Sequence, residues 1–266
     1  KAIRRQRQMC IRDRHYYENM VASSMYSVIH EGGHAIYELN TGDDLIGTTM
    51  AGGASMGIHE SQSRFYENII GRSEAFISLI FPKIKELFPE QFENVSAHDF
   101  YLAVNKAEPS LIRTEADELT YSMHIMVRYE IEKRLMDGSL STKDLPNEWN
   151  RLYKEYLGID VPCDSMGCLQ DSHWSGGALG YFPSYSLGSA YGAQFLHKMK
   201  QDIDIDKLVS ENRIDEVTAW LTEKIHKYGM LLTPAQLIEN ACGEDFNADY
   251  YIEYLTEKYK KIYDLK

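Results

Sequence analysis

The sequence predicts a mainly α-helical protein, and three observations carry that expectation. Apolar residues recur at helical rather than strand spacing, as at Val21, Met25, Val28, Ile29, Ile36 and Leu39. Helix stops recur too, at Asn40-Thr41-Gly42, Gly138, Gly158 and Gly243. Thr233-Pro234-Ala235-Gln236 has a cap, a proline at the first helical position and a glutamine at the third, which is a capping-box start.

The first helix carries the most chemistry. Val28-Ile29-His30-Glu31-Gly32-Gly33-His34 contains H-E-x-x-H, whose two histidines lie one turn apart and can reach one cation. Glu31, beside the first histidine, is placed to take a proton from an activated water. A pair of merely hydrogen-bonded histidines would fit so short a pattern equally well. Gly32 and Gly33 fall mid-helix, where each costs up to ~1 kcal/mol against alanine. Some neighbour is therefore expected to approach the backbone there.

A third ligand is expected from the next segment. The glycine-rich Ala51–Gly57 stretch is a loop or short edge strand, and a second helix then carries Glu60, Arg64 and Phe65. Two histidines and Glu60, with water at the open position, make a catalytic rather than a structural metal site.

Phe76 to Phe88 is apolar and interrupted by Pro82, predicting a kinked helix or two short ones. Ser96 caps the next segment. Ser110 is expected to cap a long helix running to about Met136, with Arg113 and Asp117 one turn apart. That pair is either an ordinary surface ion pair or a cation, Arg113, facing an anionic substrate group. A helix from about Asp144 to Leu157 precedes a long non-helical stretch to about Pro183. Its aromatic residues argue against disorder. His173 there is either structural or, with the nearby tyrosines, suited to hydrogen-bonding an oxyanion. The tail from Asn247 to Leu265 repeats tyrosines at helical spacing, which reads as a packed face.

The net charge of −12 and pI of about 5.2 argue against nucleic acid as the main partner. No apolar run approaches the roughly 20 residues of a membrane span. Cys10, Cys163, Cys168 and Cys242 form no disulfide framework, so a reducing, cytoplasmic setting is expected. Residues 1–14 hold six basic residues against one acidic and lack an initiator methionine. They are read as a cloning or assembly scar rather than a basic arm, leaving 15–266 as the functional region.

Four ordered motifs carry a resemblance: His30-Glu31-Gly32-Gly33-His34, Ile58-His59-Glu60-Ser61-Gln62, Ile112-Arg113-Thr114-Glu115-Ala116-Asp117, and Gly167-x-x-Gln170-Asp171-x-His173-Trp174. In that order they resemble the thermostable carboxypeptidase, or carboxypeptidase Taq, family of metal-dependent exopeptidases. The resemblance implies one divalent metal, zinc with cobalt as the alternative, on His30, His34 and Glu60. It implies Glu31 as general base and acid, His173 and Tyr185 at the oxyanion, and Arg113, Gln170 and Trp174 as substrate contacts. It further implies peptide substrates, a homodimer, and a deep-cleft helical fold of the neurolysin and angiotensin-converting-enzyme type. The family's H-P-F and D-x-R-x-T motifs have no match here, so the N-terminal half of such a domain is expected to be missing. A metallo-endopeptidase or dipeptidase with the same site, and an inactive peptide-binding fragment, are the competing readings.

Overall fold

The computed structural model describes residues 20–266. The segment 1–14, read above as a scar, lies outside the described residues. Among the described residues there are helices and no β-strand. The helices are α1 (Val21–Leu39), α2 (Met56–Arg64), α3 (Glu74–Leu87), α4 (Ala97–Val104), α5 (Tyr121–Met136), α6 (Leu145–Leu157), α7 (Pro183–Asp202), α8 (Ile205–Ser210), α9 (Ile214–Lys224), α10 (Pro234–Cys242) and α11 (Asp249–Tyr263). None of them is long and apolar enough to cross a membrane. The chain divides into two compact units, one of residues 20–104 with 188–266 and the other of Asn105–Leu187, with the boundary inside α7.

In the first unit, α1 and α2 rest on a core supplied largely by the C-terminal helices. Tyr37, Ile58 and Phe65 are buried with Phe195, Leu221 and Leu237. The expected capping box opens α10: the Thr233 hydroxyl accepts from the Gln236 amide, and the Gln236 side chain returns to Thr233. Such a cap contributes about 1 kcal/mol. Gly243 closes the helix with φ at 80°, a conformation in which a side chain is strained. The tail is helical as expected, and Tyr259 is its buried tyrosine.

Pro82 does not break the chain into two helices: α3 is one helix with Pro82 inside it. Phe81, on the buried side, packs against Phe100 with ring centroids 5.7 Å apart. Pro82 and Ser78 both lie on the exposed side, where the carbonyl that proline leaves unpaired is open to water.

In the second unit, Val127 and Ile131 of α5 pack with Trp149, Leu152 and Tyr153 of α6. Gly158 ends α6 with φ at 74°. The predicted helix from Ser110 is corrected here, because α5 begins only at Tyr121 and one short turn, Arg113–Glu115, precedes it. The reason is competition for the backbone. The Arg113 amide donates to Gln170 Oε1 at 2.9 Å, and the Leu111 carbonyl accepts from Gln170 Nε2 and the Tyr153 hydroxyl. Those groups are engaged by side chains and cannot join a helical ladder.

Candidate metal centre

The ligand site is built by two helices of the first unit that cross at glycine. A Cβ at Gly33 would lie 2.7 Å from Ser63 Cα and 2.9 Å from the Gln62 carbonyl oxygen. Only glycine lets α2 come this close, which accounts for one of the two expected mid-helix glycines. Gly32 has nothing within 4 Å of such a Cβ, so the expectation of a close neighbour holds at Gly33 alone.

That approach brings His30 and His34 of α1 to Glu60 of α2. One ligand atom from each lies within 4.8 Å of the others, a group able to hold a divalent metal. Glu60 Oε2 is 3.7 Å from His30 Nε2 and 3.5 Å from His34 Nε2. Both imidazoles therefore turn Nε2 to the same point, and their other nitrogens are held. His30 Nδ1 is 2.8 Å from Glu67 Oε2, and His34 Nδ1 is 2.7 Å from His59 Nδ1. His59 Nε2 in turn lies 2.7 Å from Glu38 Oε1. In the tautomer that leaves Nε2 a lone pair, His34 donates to His59 and His59 donates to Glu38. Imidazoles oriented by carboxylates in this way are the usual support of a metal site.

The carboxylates are held as anions. Burial opposes the charge on Glu60, but His30, Arg64 and His34 outweigh it and hold its carboxyl well below the usual range. Glu67 is depressed to about 2, because Arg64, His30 and Arg72 outweigh its burial. Glu31 is half-buried on α1 and makes no hydrogen bond or ion pair among the described residues.

Sequence reasoning overlooked Glu67 and the partners of His59. A signal for the former existed: Glu60, Arg64 and Glu67 follow the i, i+4, i+7 spacing of one helical face. The helix widens at Phe65–Ile70 into a π-helical segment that includes Glu67, a distortion frequent at functional sites.

Arg113, Gln170, His173, Trp174 and Tyr185 all belong to the second unit. His173 Nε2 is 2.9 Å from the Tyr185 hydroxyl. Burial and the nearby Arg113 lower the His173 pKa, favouring the neutral ring. Arg113 is buried, but its expected partner is wrong. Its Nε and one terminal nitrogen donate to Asp171 Oδ1 at 3.0 and 2.7 Å, and the other terminal nitrogen reaches the Tyr121 hydroxyl. Asp117 instead accepts from the Thr120 amide and hydroxyl and from the Glu108 amide. A carboxylate so used as a turn cap has no freedom to follow a guanidinium.

Arg128, fully buried on α5, also went unnoticed, since an arginine on a helix ordinarily reads as solvated. It donates to Asp171 Oδ2 at 2.7 Å, to Gln170 Oε1 at 2.9 Å and to the His124 carbonyl at 2.7 Å. Gln170 is engaged at both ends of its amide, and Trp174 Nε1 donates to Glu132 at 2.8 Å. The long loop is thus pinned by buried polar contacts rather than by secondary structure.

Residues 9–259 match the family described as Carboxypeptidase Taq (M32) metallopeptidase. The chain belongs to the carboxypeptidase Taq family. The match opens inside the basic segment 1–14. Carboxypeptidase 1 of Bacillus subtilis is 48% identical over 93% of this chain and 50% of its own length. Thermostable carboxypeptidase 1 of Pyrococcus furiosus is 44% identical over 89% of this chain and 47% of its own. The crystal structure of an M32 carboxypeptidase from Deinococcus radiodurans superposes with a TM-score of 0.88 at 39% identity, covering 91% of this chain and 49% of that one. The chain thus spans about half the length of the carboxypeptidase Taq relatives it matches.

Proposed function

We propose that this chain carries the metal centre of a carboxypeptidase that removes C-terminal residues from peptides, with zinc on His30, His34 and Glu60. The observation that carries the reading is the spacing of the three donors. Glu60 Oε2 stands 3.7 Å from His30 Nε2, beyond a hydrogen bond, and 3.5 Å from His34 Nε2, at the outer limit of one. Tetrahedral zinc ligands, with bonds of about 2.0–2.1 Å, stand roughly 3.4 Å from one another. The three donors stand at separations that one ion could bridge, and cobalt would fit the same set.

When bound, such an ion acts as a Lewis acid toward the scissile carbonyl and acidifies water. Glu31, next to His30 on α1, then accepts the proton of the attacking water and delivers it to the leaving amine. The neutral His173 and the Tyr185 hydroxyl, linked at 2.9 Å, are the proposed donors to the oxyanion. Arg113 is the proposed cation for the substrate's terminal carboxylate, with Asp171 rather than Asp117 orienting its guanidinium. Gln170 and Trp174 are the further proposed substrate contacts. The family relationship favours this exopeptidase reading over an endopeptidase, and with it a deep-cleft fold of the neurolysin type, a cytoplasmic location and a homodimer.

Metal loading and release of the C-terminal residue from a blocked dipeptide test the proposal. Glu31→Gln should load metal as the wild type does, yet lose turnover by about 10²–10⁴-fold, the usual worth of a general base. Glu60→Ala should lose the metal. Undiminished hydrolysis in Glu31→Gln, or full loading in Glu60→Ala, would overturn it.

A further inference from the structure

We infer that Arg64 is a positioning residue that restricts Glu60 to a single metal-facing oxygen, so that the site keeps positions open for water and substrate. The inference rests on the metal reading above and assigns a part to a residue outside the ligand set. A carboxylate can give a metal one oxygen or two. If Glu60 gave two beside the two imidazoles, four positions would be filled by protein, and a catalytic centre needs at least one left open.

The surroundings of Glu60 divide its two oxygens. Arg64, one turn along α2, donates Nε–H to Glu60 Oε1 at 3.0 Å. Oε2 is the oxygen that faces both histidine Nε2 atoms. Arg64 is itself fixed, because a terminal nitrogen donates to Glu67 Oε2 at 3.2 Å, and the same oxygen accepts from His30 Nδ1 at 2.8 Å. One guanidinium therefore ties the ligand carboxylate to the carboxylate that orients another ligand.

The shaft of Glu60 is confined as well. A Cβ at Gly188 would lie 2.7 Å from both Cβ and Cγ of Glu60, so the backbone of α7 rests against the side chain. Rotation of the carboxylate about its last bond is then the remaining freedom, and the Arg64 hydrogen bond removes it. A plain structural ion pair is the competing role. Buried pairs of this kind are weak evidence of stabilisation, since desolvation offsets much of their attraction. The pair must therefore be tested on ligation and not on stability.

Two substitutions separate the hydrogen bond from the charge. Arg64→Gln places an amide nitrogen where Nε stands and keeps a donor to Oε1. Arg64→Met fills the same length with no donor. Both remove the positive charge. Each protein is loaded with Co²⁺, whose visible absorption weakens as coordination number rises, and helicity and bound metal are measured in parallel. The expected result is a wild-type spectrum in Arg64→Gln and a weaker, higher-coordinate spectrum in Arg64→Met. Identical spectra in all three, each with one ion bound, would overturn the role of Arg64 and leave the metal reading standing. Equal loading of wild type and Glu60→Ala would overturn both. Should Arg64→Met fail to fold, the infrared difference spectrum of the wild type on loading decides: a widened separation of the carboxylate stretches means one-oxygen ligation, and a narrowed one refutes it.

Discussion

Two adjacent glycines should respond to the same substitution with opposite signs. Gly32→Ala adds a methyl group where nothing lies within 4 Å, so the helix gains the alanine preference of about 1 kcal/mol. For a domain of this size that is a rise of roughly 2–4 °C in melting temperature. Gly33→Ala gains the same preference but sets the methyl 2.7 Å from Ser63 Cα, a backbone atom that cannot rotate away. Ordinary contact begins at 3.4 Å, so α2 must retreat by about 0.7 Å, and overpacking of this kind costs about 1–3 kcal/mol. The net should be a loss of up to roughly 2 kcal/mol. The retreat also carries Glu60 away from His30 and His34, so metal affinity should fall about tenfold or more, as when a ligand's support is disturbed. Urea unfolding of the metal-free proteins and chelator competition would read both effects. A Gly33→Ala protein as stable as Gly32→Ala, with unchanged affinity, would refute the close-crossing argument.

The buried network of the second unit gives two further expectations. Arg128→Met leaves one oxygen of Asp171 without its buried partner, and should cost about 3 kcal/mol in urea unfolding. Exposed Arg151, paired with Glu148, should by contrast be replaceable with little effect, and equal losses at the two sites would contradict this. His124 is fully buried, and burial together with Arg128 and Arg113 lowers its pKa to about 3. The unfolded chain, titrating near pH 6.5, binds a proton that the folded protein refuses. Stability from this site is thus complete above about pH 6.5 and lost as pH falls toward 3, by up to roughly 1.4 kcal/mol per pH unit. His124→Asn keeps a donor to the Tyr153 hydroxyl, whose own proton goes to the Leu111 carbonyl, and should flatten that slope; an unchanged pH–stability profile would argue against it.

Much of this chain could be read without coordinates, wherever the signal was local. H-E-x-x-H spacing puts His30 and His34 on one helical face whatever surrounds them. The Thr233–Gln236 capping box and the glycines at 158 and 243 mark their helix ends by steric and hydrogen-bonding rules that act within a few residues. Helical spacing of the apolar residues, and four cysteines in no framework pattern, likewise set the expectation of helices without disulfides.

What depended on tertiary partners was not legible. The run from Ser110 carries helical signals, yet Gln170 and Tyr153, distant in sequence, capture its backbone groups and keep it from forming an α-helix before Tyr121. Asp117 lies one notional turn from Arg113, yet Asp171 is its real partner, because once the helix is lost the i, i+4 spacing no longer brings 113 and 117 together. Glu67, His59 and Arg128 acquired their parts only when segments distant in sequence brought hydrogen-bonding partners within 3 Å. Local propensity is set by a residue's immediate neighbours, whereas the pairing of buried charge is decided by whichever partner the packed fold delivers.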